Sequence, residues 1–519
     1  GTAIGGGTAG VGDGYNGGDA VVAISGSPTI TTGSIGGGKT SNAKNKIGTA
    51  QINISGNPTI SGQFVMAAGA ATAPSFLMSG GTIQNSSTYD TEFVKIQSDG
   101  GAVYMEEGSC NITGGTIQDC TARYGGAVYM KDPADAGRDH FTMSGGMISG
   151  CVSTVQGGAV FMDGGDFTYT DGTIDSNTSG RQGGALYMGQ GLFTMSGGEI
   201  SSNTSGTSST GGEGGEGGGI CIVTGTVAMQ GGEIRGNHST GDGGGVWLGS
   251  GDVTVTGGGI VHNMANGGNG GGVCVLGGNF YMTADGDKSL KENSATVTDG
   301  RGGNGGGVYV SASGSDKNLQ VDLLSGDMSG NTSSRHGGGI YVEMRDGATA
   351  GITIGNQTTG SRTNPYLANN YAGLSGGGMD VEGSGSNITI WSGKVNGNVS
   401  AYVTNQDVRN EGGMVTLAGK AEDIDVQYRV VKFYANNGED PELTAEQWIV
   451  TSTNSLLVPP RDKTDTWTKK FHTFSHWNTK RDGSGTSYTR EGYLMGETTP
   501  AIMNISTDVA LYAQWITGN

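Results

Sequence analysis

The chain has 519 residues, a formal net charge of -19, and 105 glycines against 9 prolines. Glycine at about a fifth of the chain without a Gly-X-Y period excludes collagen, and glycines flanking regularly spaced Val, Ile, Met and Tyr exclude a disordered chain. The acidic balance argues against nucleic acid and anionic membrane surfaces as partners, and no run of about 18 apolar residues is present to insert into a membrane.

The first 80 residues hold loose, rung-like words. They are VVAISGSPTI from Val21, QINISGNPTI from Gln51 and FLMSGGTI from Phe76, with glycine runs at 5–7 and 36–38 between them. From about residue 81 the pattern tightens. A Gly-Gly-small-apolar-x-apolar element occurs ten times, with its x position at Tyr104, Tyr129, Phe161, Tyr187, Cys221, Trp247, Cys274, Tyr309, Tyr341 and Asp380. A second element follows, as in FTMSGG from Phe193, and then a third, Ile-x-x-Asn, as in Ile200 and Asn203. The shortest spacings between copies are 25 to 27 residues, and longer ones carry insertions such as 131–139 and 206–216.

Alternating apolar residues with no 3.6-residue period predict strands and no helix. Three short strands and three turns in one copy make one rung of a parallel β-helix, each strand pairing with its equivalent in the next rung. One rung cannot bury its apolar face, so stacking supplies the core. Equivalent residues then become ladders in space. The Asn column is expected to hydrogen-bond up and down the stack. The Asn-x-Ser/Thr matches at Asn177, Asn203, Asn331 and Asn398 are by-products of that corner and not glycosylation sites.

Five cysteines, at 110, 120, 151, 221 and 274, cannot close a disulfide framework, and none has CxxC spacing for zinc. Cys120 and Cys151 stand in the Asn column in consecutive copies. Two readings stay open for them, a disulfide or two buried thiols filling the Asn volume.

Past residue 428 glycine thins, and Trp448, Trp467, Trp477 and Trp515 cluster, which predicts a small globular domain with an aromatic core. The expected division is 1–424, with 1–80 looser and 81–424 regular, and 425–519.

The words GGGVYV (305–310), FTMSGG (193–198) and Ile-x-x-Asn resemble the right-handed parallel β-helix repeats of large bacterial surface proteins. Handedness rests on that resemblance and on the right-handed rule for parallel crossovers. VKFYANNG from Val431, FSHWNTK from Phe474, DGSGTSY from Asp482 and DVALYAQW from Asp508 resemble an internalin-type B repeat, also known as a Listeria–Bacteroides repeat. The stretch 445–469 is longer than that family's usual one. The expected fold is therefore all-β: a single-stranded right-handed parallel β-helix, or solenoid, followed by a small β-grasp-like domain. The resemblance implies a non-enzymatic spacer or interaction module at the C-terminus. It also implies a secreted or wall-attached extracellular protein of Gram-positive-like type, whose export signal and anchor lie outside this chain.

The candidate ligand face is the aromatic column Tyr104, Tyr129, Phe161, Tyr187, Trp247, Tyr309 and Tyr341. With its flanking residues pointing in, the column points out. Stacked rings on a flat face suit a glycan or protein partner, or form a structural ladder covered by insertions. Two acidic groupings are candidates for a polysaccharide lyase or hydrolase. One is Asp163 and Asp166, with Asp171 and Asp175 in turns. The other is Arg335 and His336 with Asp380. Asp242, Asp252 and Asp299 in glycine turns leave calcium open, but the nonapeptide calcium pattern is absent and no other cofactor or metal is expected. The expectation is an adhesin-like monomer, with the enzyme and a pure structural stalk as alternatives.

Overall fold

A computed structural model describes residues 4–5, 20–36, 50–66, 73–84, 99–131, 140–207, 215–283, 288–315, 317–356, 364–401, 407–418, 424–426, 428–438, 444–450, 469, 472–489 and 509–517. The expected glycine runs past Gly5 and Gly36, the insertions at 132–139 and 208–214, Trp467 and most of 445–469 lie outside these residues.

The described residues are all-β, with parallel sheets and no helix. A 28-stranded sheet takes up the three apolar words of every copy, and its strands pair in parallel with their equivalents one copy on. Leu186 pairs with Ile220, Phe193 with Val227 and Ile200 with Ile234, which in turn pair with Val246, Val253 and Ile260. The three words of a copy are not always three separate strands. In three successive copies they fuse into one 16-residue strand, as in Leu186–Ser201, with register shifts at Met195/Ser196 and Ser196/Glu199. The glycines make those irregularities possible. Gly198 has φ +79°, and a Cβ there would meet the Tyr169 ring at 2.7 Å.

A further strand, which the apolar pattern does not mark, follows each corner. Two- to five-residue strands such as Thr178–Ser179, Thr204–Ser205 and His238–Ser239 form a second, 11-stranded sheet. Its inward residue is Ala or Ser in every row: Ala122, Ser153, Ser179, Ser205, Ser239, Ala265, Ala295, Ser333, Ala372 and Ser400. The Ser of each Asn-x-Ser match is this inward residue, and the Asn before it is buried.

Apolar side chains from Val22 to Val415 make one continuous core cluster. Leu186, Met188, Phe193, Met195 and Ile200 are all fully buried, each contributing about 1.5–3 kcal/mol of transfer free energy. Ring pairs Phe141–Phe167 (4.4 Å) and Phe167–Phe193 (5.3 Å) run along the stack. Tyr169 takes a place that Met fills in the copies on either side. Its hydroxyl lies 2.7 and 2.9 Å from the carbonyls of Gly172 and Glu199, which share its one proton, and it accepts the Glu199 N–H at 3.1 Å, which satisfies a polar atom in an apolar core.

The Asn column is a ladder. In each copy the side-chain Oδ1 of one Asn accepts both the backbone N–H and the Nδ2 of the Asn before it, as Asn237 does for Asn203 at 3.0 and 2.9 Å. The same Nδ2 also donates to a carbonyl one copy back, Asn203 to Ile174 at 3.0 Å. The pattern runs through Asn177, Asn203, Asn237, Asn263, Asn293, Asn331, Asn370 and Asn398. It ends on Asp407, whose Oδ1 receives the N–H and Nδ2 of Asn398. The residue before the corner is left-handed in copy after copy. Gly150, Gly236, Gly330 and Gly397 fill it, and so do Ser176, Ser202, His262, Glu292 and Asn369. Cys120 and Cys151, at the start of the column, are buried free thiols.

The last strand of the large sheet is Ile424–Val426, two residues past the expected boundary. Tyr428–Tyr434, Thr444–Val450, His472–Asn478, Ser487–Tyr488 and Val509–Thr517 form a separate five-stranded mixed sheet. Phe433 and Trp477 pack edge to face at 5.0 Å, and Phe474 bridges Trp477 to Trp515. Asn478 pins the turn after it. Its Nδ2 donates to Gly483 and Gly485, and its Oδ1 accepts from the N–H groups of Lys480 and Gly485.

Candidate functional site

The x position of the first element is a true column. Tyr104, Tyr129, Phe161, Tyr187, Cys221, Trp247, Cys274, Tyr309, Tyr341 and Asp380 pair in register, and Arg409 follows Asp380. Tyr104, Tyr129, Phe161 and Tyr187 stack at 5.0–5.3 Å between ring centroids, within 12° of parallel. These rings lie outside the main core cluster, so they do face away from it. They are not an open face, however. Tyr104, Phe161, Tyr309 and Tyr341 are at most 7% exposed, and Tyr129, Tyr187 and Trp247 are half-buried.

The cover is the residue just before each Gly-Gly. Gln156, Gln182, Glu216, Asp242, Asn269, Asn304, His336 and Ser375 hold this place, and each backbone carbonyl accepts from a glycine N–H one copy back. The glycine pair brings the two columns together. Gly183 has φ +67°, and a Cβ on Gly184 would sit 2.1 Å from the Gly218 carbonyl. The covering side chains bond to one another. Gln156 Nε2 donates to Gln182 at 2.5 Å. Asn269 N and Nδ2 donate to Asp242 Oδ1 at 2.7 and 3.2 Å, and Asn304 donates to Asn269 in the same way. The insertions at 132–139 and 208–214, the other expected cover, lie outside the described residues. The covering column was missed because its members share a position and a hydrogen-bonding capacity but no residue type.

Burial raises the phenol pKa of the ladder tyrosines, that of Tyr187 to about 12. Burial, followed by the hydrogen bonds to Glu343 and Glu382, raises those of Tyr309 and Tyr341 further. Burial also raises the Asp242 carboxyl, partly offset by the Asn269 donors.

The column ends in charge. Asp380 is fully buried, and its Oδ1 accepts from Arg409 Nη1 at 2.8 Å. Its Oδ2 accepts from Ser375 Oγ at 2.5 Å and lies 3.3 Å from His336 Nδ1, which is 2.6 Å from the same Ser375 oxygen. His336 stacks on Tyr341, whose hydroxyl donates to Glu382, and the Tyr309 hydroxyl donates to Glu343. Glu343 in turn accepts from Arg345 Nε at 2.8 Å. His336 and Asp380 therefore meet as expected. Arg335 does not join them: its Nη2 donates to the Gly300 carbonyl at the surface. The guanidinium at Asp380 belongs to Arg409. Extending the column by one copy, through Val408 and Arg409, finds it in the sequence.

The serine's single proton goes to Asp380, so the His336 Nδ1–H donates to Ser375. The order is His–Ser–Asp. In a nucleophilic triad the imidazole stands between serine and carboxylate and uses both ring nitrogens. Here the serine stands between, and the carboxylate is committed to Arg409.

The other acidic candidates are dispersed. Asp163 is exposed, and Asp166 accepts from the Leu192 N–H at 3.2 Å. Asp171 and Asp175 lie inside the strand Asp166–Asp175 and not in turns, because the bulge at the glycine keeps the chain in the sheet. Asp171 accepts from its neighbour Gly172, and Asp175 from Ser176 and Ser201. Of the calcium candidates, Asp242 and Asp252 each accept two N–H groups from one asparagine, Asn269 and Asn279, and Asp299 is exposed in a turn. Among the described residues no group of three or more His, Cys, Asp or Glu is arranged to hold a metal, and no helix is long and apolar enough to cross a membrane. No family model, curated protein or solved structure matches the chain.

Proposed function

We propose that the chain is a bacterial cell-surface or secreted adhesin-like protein, a right-handed parallel β-helix that presents a binding face to a glycan or a protein partner. The segment beyond about 425 is then an internalin-type B repeat acting as spacer or interaction module. The observation that carries this reading is the in-register pairing of copy on copy, with a continuous core and a polar ladder satisfied from Asn177 to Asp407. Such a stack is stiff, and its outward residues repeat at one spacing, as a long binding surface requires.

A polysaccharide lyase or hydrolase is the second reading, favoured by the approach of His336 and Ser375 to Asp380. It is weaker because the Asp380 oxygens are taken by Arg409 and Ser375.

The test is a glycan array, run beside a reducing-sugar release assay on neutral and acidic polysaccharides. Binding without turnover is the expected result. Turnover that disappears in Asp166→Asn or His336→Gln would replace the adhesin with the enzyme. No ligand of any class would leave a structural stalk.

A further inference from the structure

The aromatic column is roofed, so if the chain is a binding scaffold its ligand needs another face. The smaller sheet turns its inward Ala/Ser column to the body and two outward columns to solvent. The first outward column carries Thr178, Thr204 and Thr332 together with four exposed apolar residues. These are Val152, Met264, Tyr371 and Val399, at 38, 37, 44 and 43% exposure, and they account for four of the ten exposed large hydrophobics among the described residues. Register pairs place these residues on adjacent rows: Val152 on Thr178, Thr178 on Thr204, and Thr332 on Tyr371, which lies on Val399.

Neither outward column contains an Asp or Glu, on a chain of net charge -19. Arg123 is the one permanent charge, at the first row, where it lies 4.9 Å over the Tyr124 ring. His238, midway, has its pKa lowered by burial and is neutral at neutral pH.

We propose that this strip is the ligand face and that it binds an uncharged polysaccharide chain laid along the stack. The proposal rests on the binding-scaffold reading above and gives it a site and a ligand class. Ten rows make a strip roughly 45 Å long and ~10 Å wide, at about 4.8 Å per row. Its area, roughly 450 Å², is about half of what each partner of a standard protein interface buries, so a second copy of the chain is a poor occupant. A peptide strand adds to a sheet edge and not to a face. An anionic polymer is repelled by the acidic chain around the strip. A neutral glycan has the right width and carries hydroxyls for the Thr side chains, which both donate and accept. Its C–H faces fit Val152, Met264, Tyr371 and Val399.

Affinity electrophoresis of the full chain through gels containing glucan, mannan or xylan, with polygalacturonate as the charged control, tests this. Retardation by at least one uncharged polysaccharide and not by polygalacturonate is expected. Thr178→Glu with Thr204→Glu should weaken retardation about tenfold by placing carboxylates under the sugar, with the melting temperature unchanged because both residues point outward. Tyr187→Phe should leave retardation intact. Retardation unaffected by the two glutamates, or lost in Tyr187→Phe instead, overturns the assigned face while leaving the scaffold reading standing. So does binding confined to a protein ligand, or a dimer in sedimentation velocity that the glutamates dissolve. Failure of every glycan and protein to bind overturns both readings.

Discussion

Two columns of this protein run the length of the same stack under opposite rules. The corner column is Asn in eight successive copies from Asn177 to Asn398. The aromatic column accepts Tyr, Phe, Cys, Trp and Asp and ends on Arg409. At the corner, each side chain must accept two N–H groups and donate to a buried carbonyl, and one residue of that length does all three. On the aromatic column the backbone is already satisfied by the ladder, so the side chain need only fill the space beneath its cover. A column constrained by hydrogen bonding keeps its residue, and a column constrained by volume drifts. The two cysteines at the head of the corner column mark where that requirement stops: Cys151 N–H still finds Asn177, and its thiol turns to the Ser149 carbonyl at 3.5 Å.

The largest expected effect comes from breaking the strict column. Asn263→Ala removes the acceptor of Asn237 N and Nδ2 and the donor to the Ile234 carbonyl. It should cost about 3–5 kcal/mol in urea unfolding, because several buried groups lose partners at once. A loss under about 1 kcal/mol would show the ladder to be dispensable.

At the end of the permissive column the same logic applies to charge. Arg409→Met leaves Asp380 buried with its Oδ1 unpaired and should cost about 3 kcal/mol. Adding Asp380→Leu should recover most of that loss, as expected for a buried pair whose members are costly only when separated. Equal damage in the single and double variants would point to packing and not charge.

The aromatic column itself should show its burial at high pH. The Tyr187 phenol rises from 10.0 to about 12 in the folded chain. A raised pKa contributes stability that is whole below pH 10 and is lost as pH climbs from about 10 to 12. The share of tyrosinate absorbance that disappears in Tyr187→Phe should therefore develop late and together with unfolding, and Tyr187→Phe should move the alkaline midpoint upward. A wild-type-minus-Tyr187→Phe difference signal that appears near pH 10 in the folded chain would mean the cover over Tyr187 is open.

The smallest effect tests the backbone under the Asn column. Ser202 sits at φ +54°, where glycine serves in other copies. Ser202→Gly should be stabilising by about 0.5 kcal/mol, the relief of left-handed strain slightly exceeding the added chain entropy. A clear loss of stability would show that Ser202 contributes more than its backbone conformation.

Much of this architecture is legible in the residues because it is periodic. Val103, Val128 and Leu186, or Phe141, Phe167 and Phe193, recur at fixed places with a fixed character, and all are buried. The Asn ladder is legible for the same reason. Features that depend on a neighbour far along the chain are harder to see. Thr204–Ser205 is too short and too polar to announce a strand, yet it pairs once the copies stack. The cover along the column comes from residues as unlike as Gln182, Asn269 and His336, linked by their position before Gly-Gly. Of the charged site, His336 and Asp380 were readable and Ser375 was within reach, but Arg335, next to His336 in sequence, was the wrong arginine.

The sequence by itself determined the strand words, the side chains that turn inward, and the ladder at the corner, because these follow from alternation and from hydrogen-bonding capacity within a copy. The tertiary structure decided what lies over the outward residues. Register brings residues 26 to 42 positions apart into contact, and only there does a tyrosine become roofed, an aspartate find Arg409, or a row of Thr and Val become a surface.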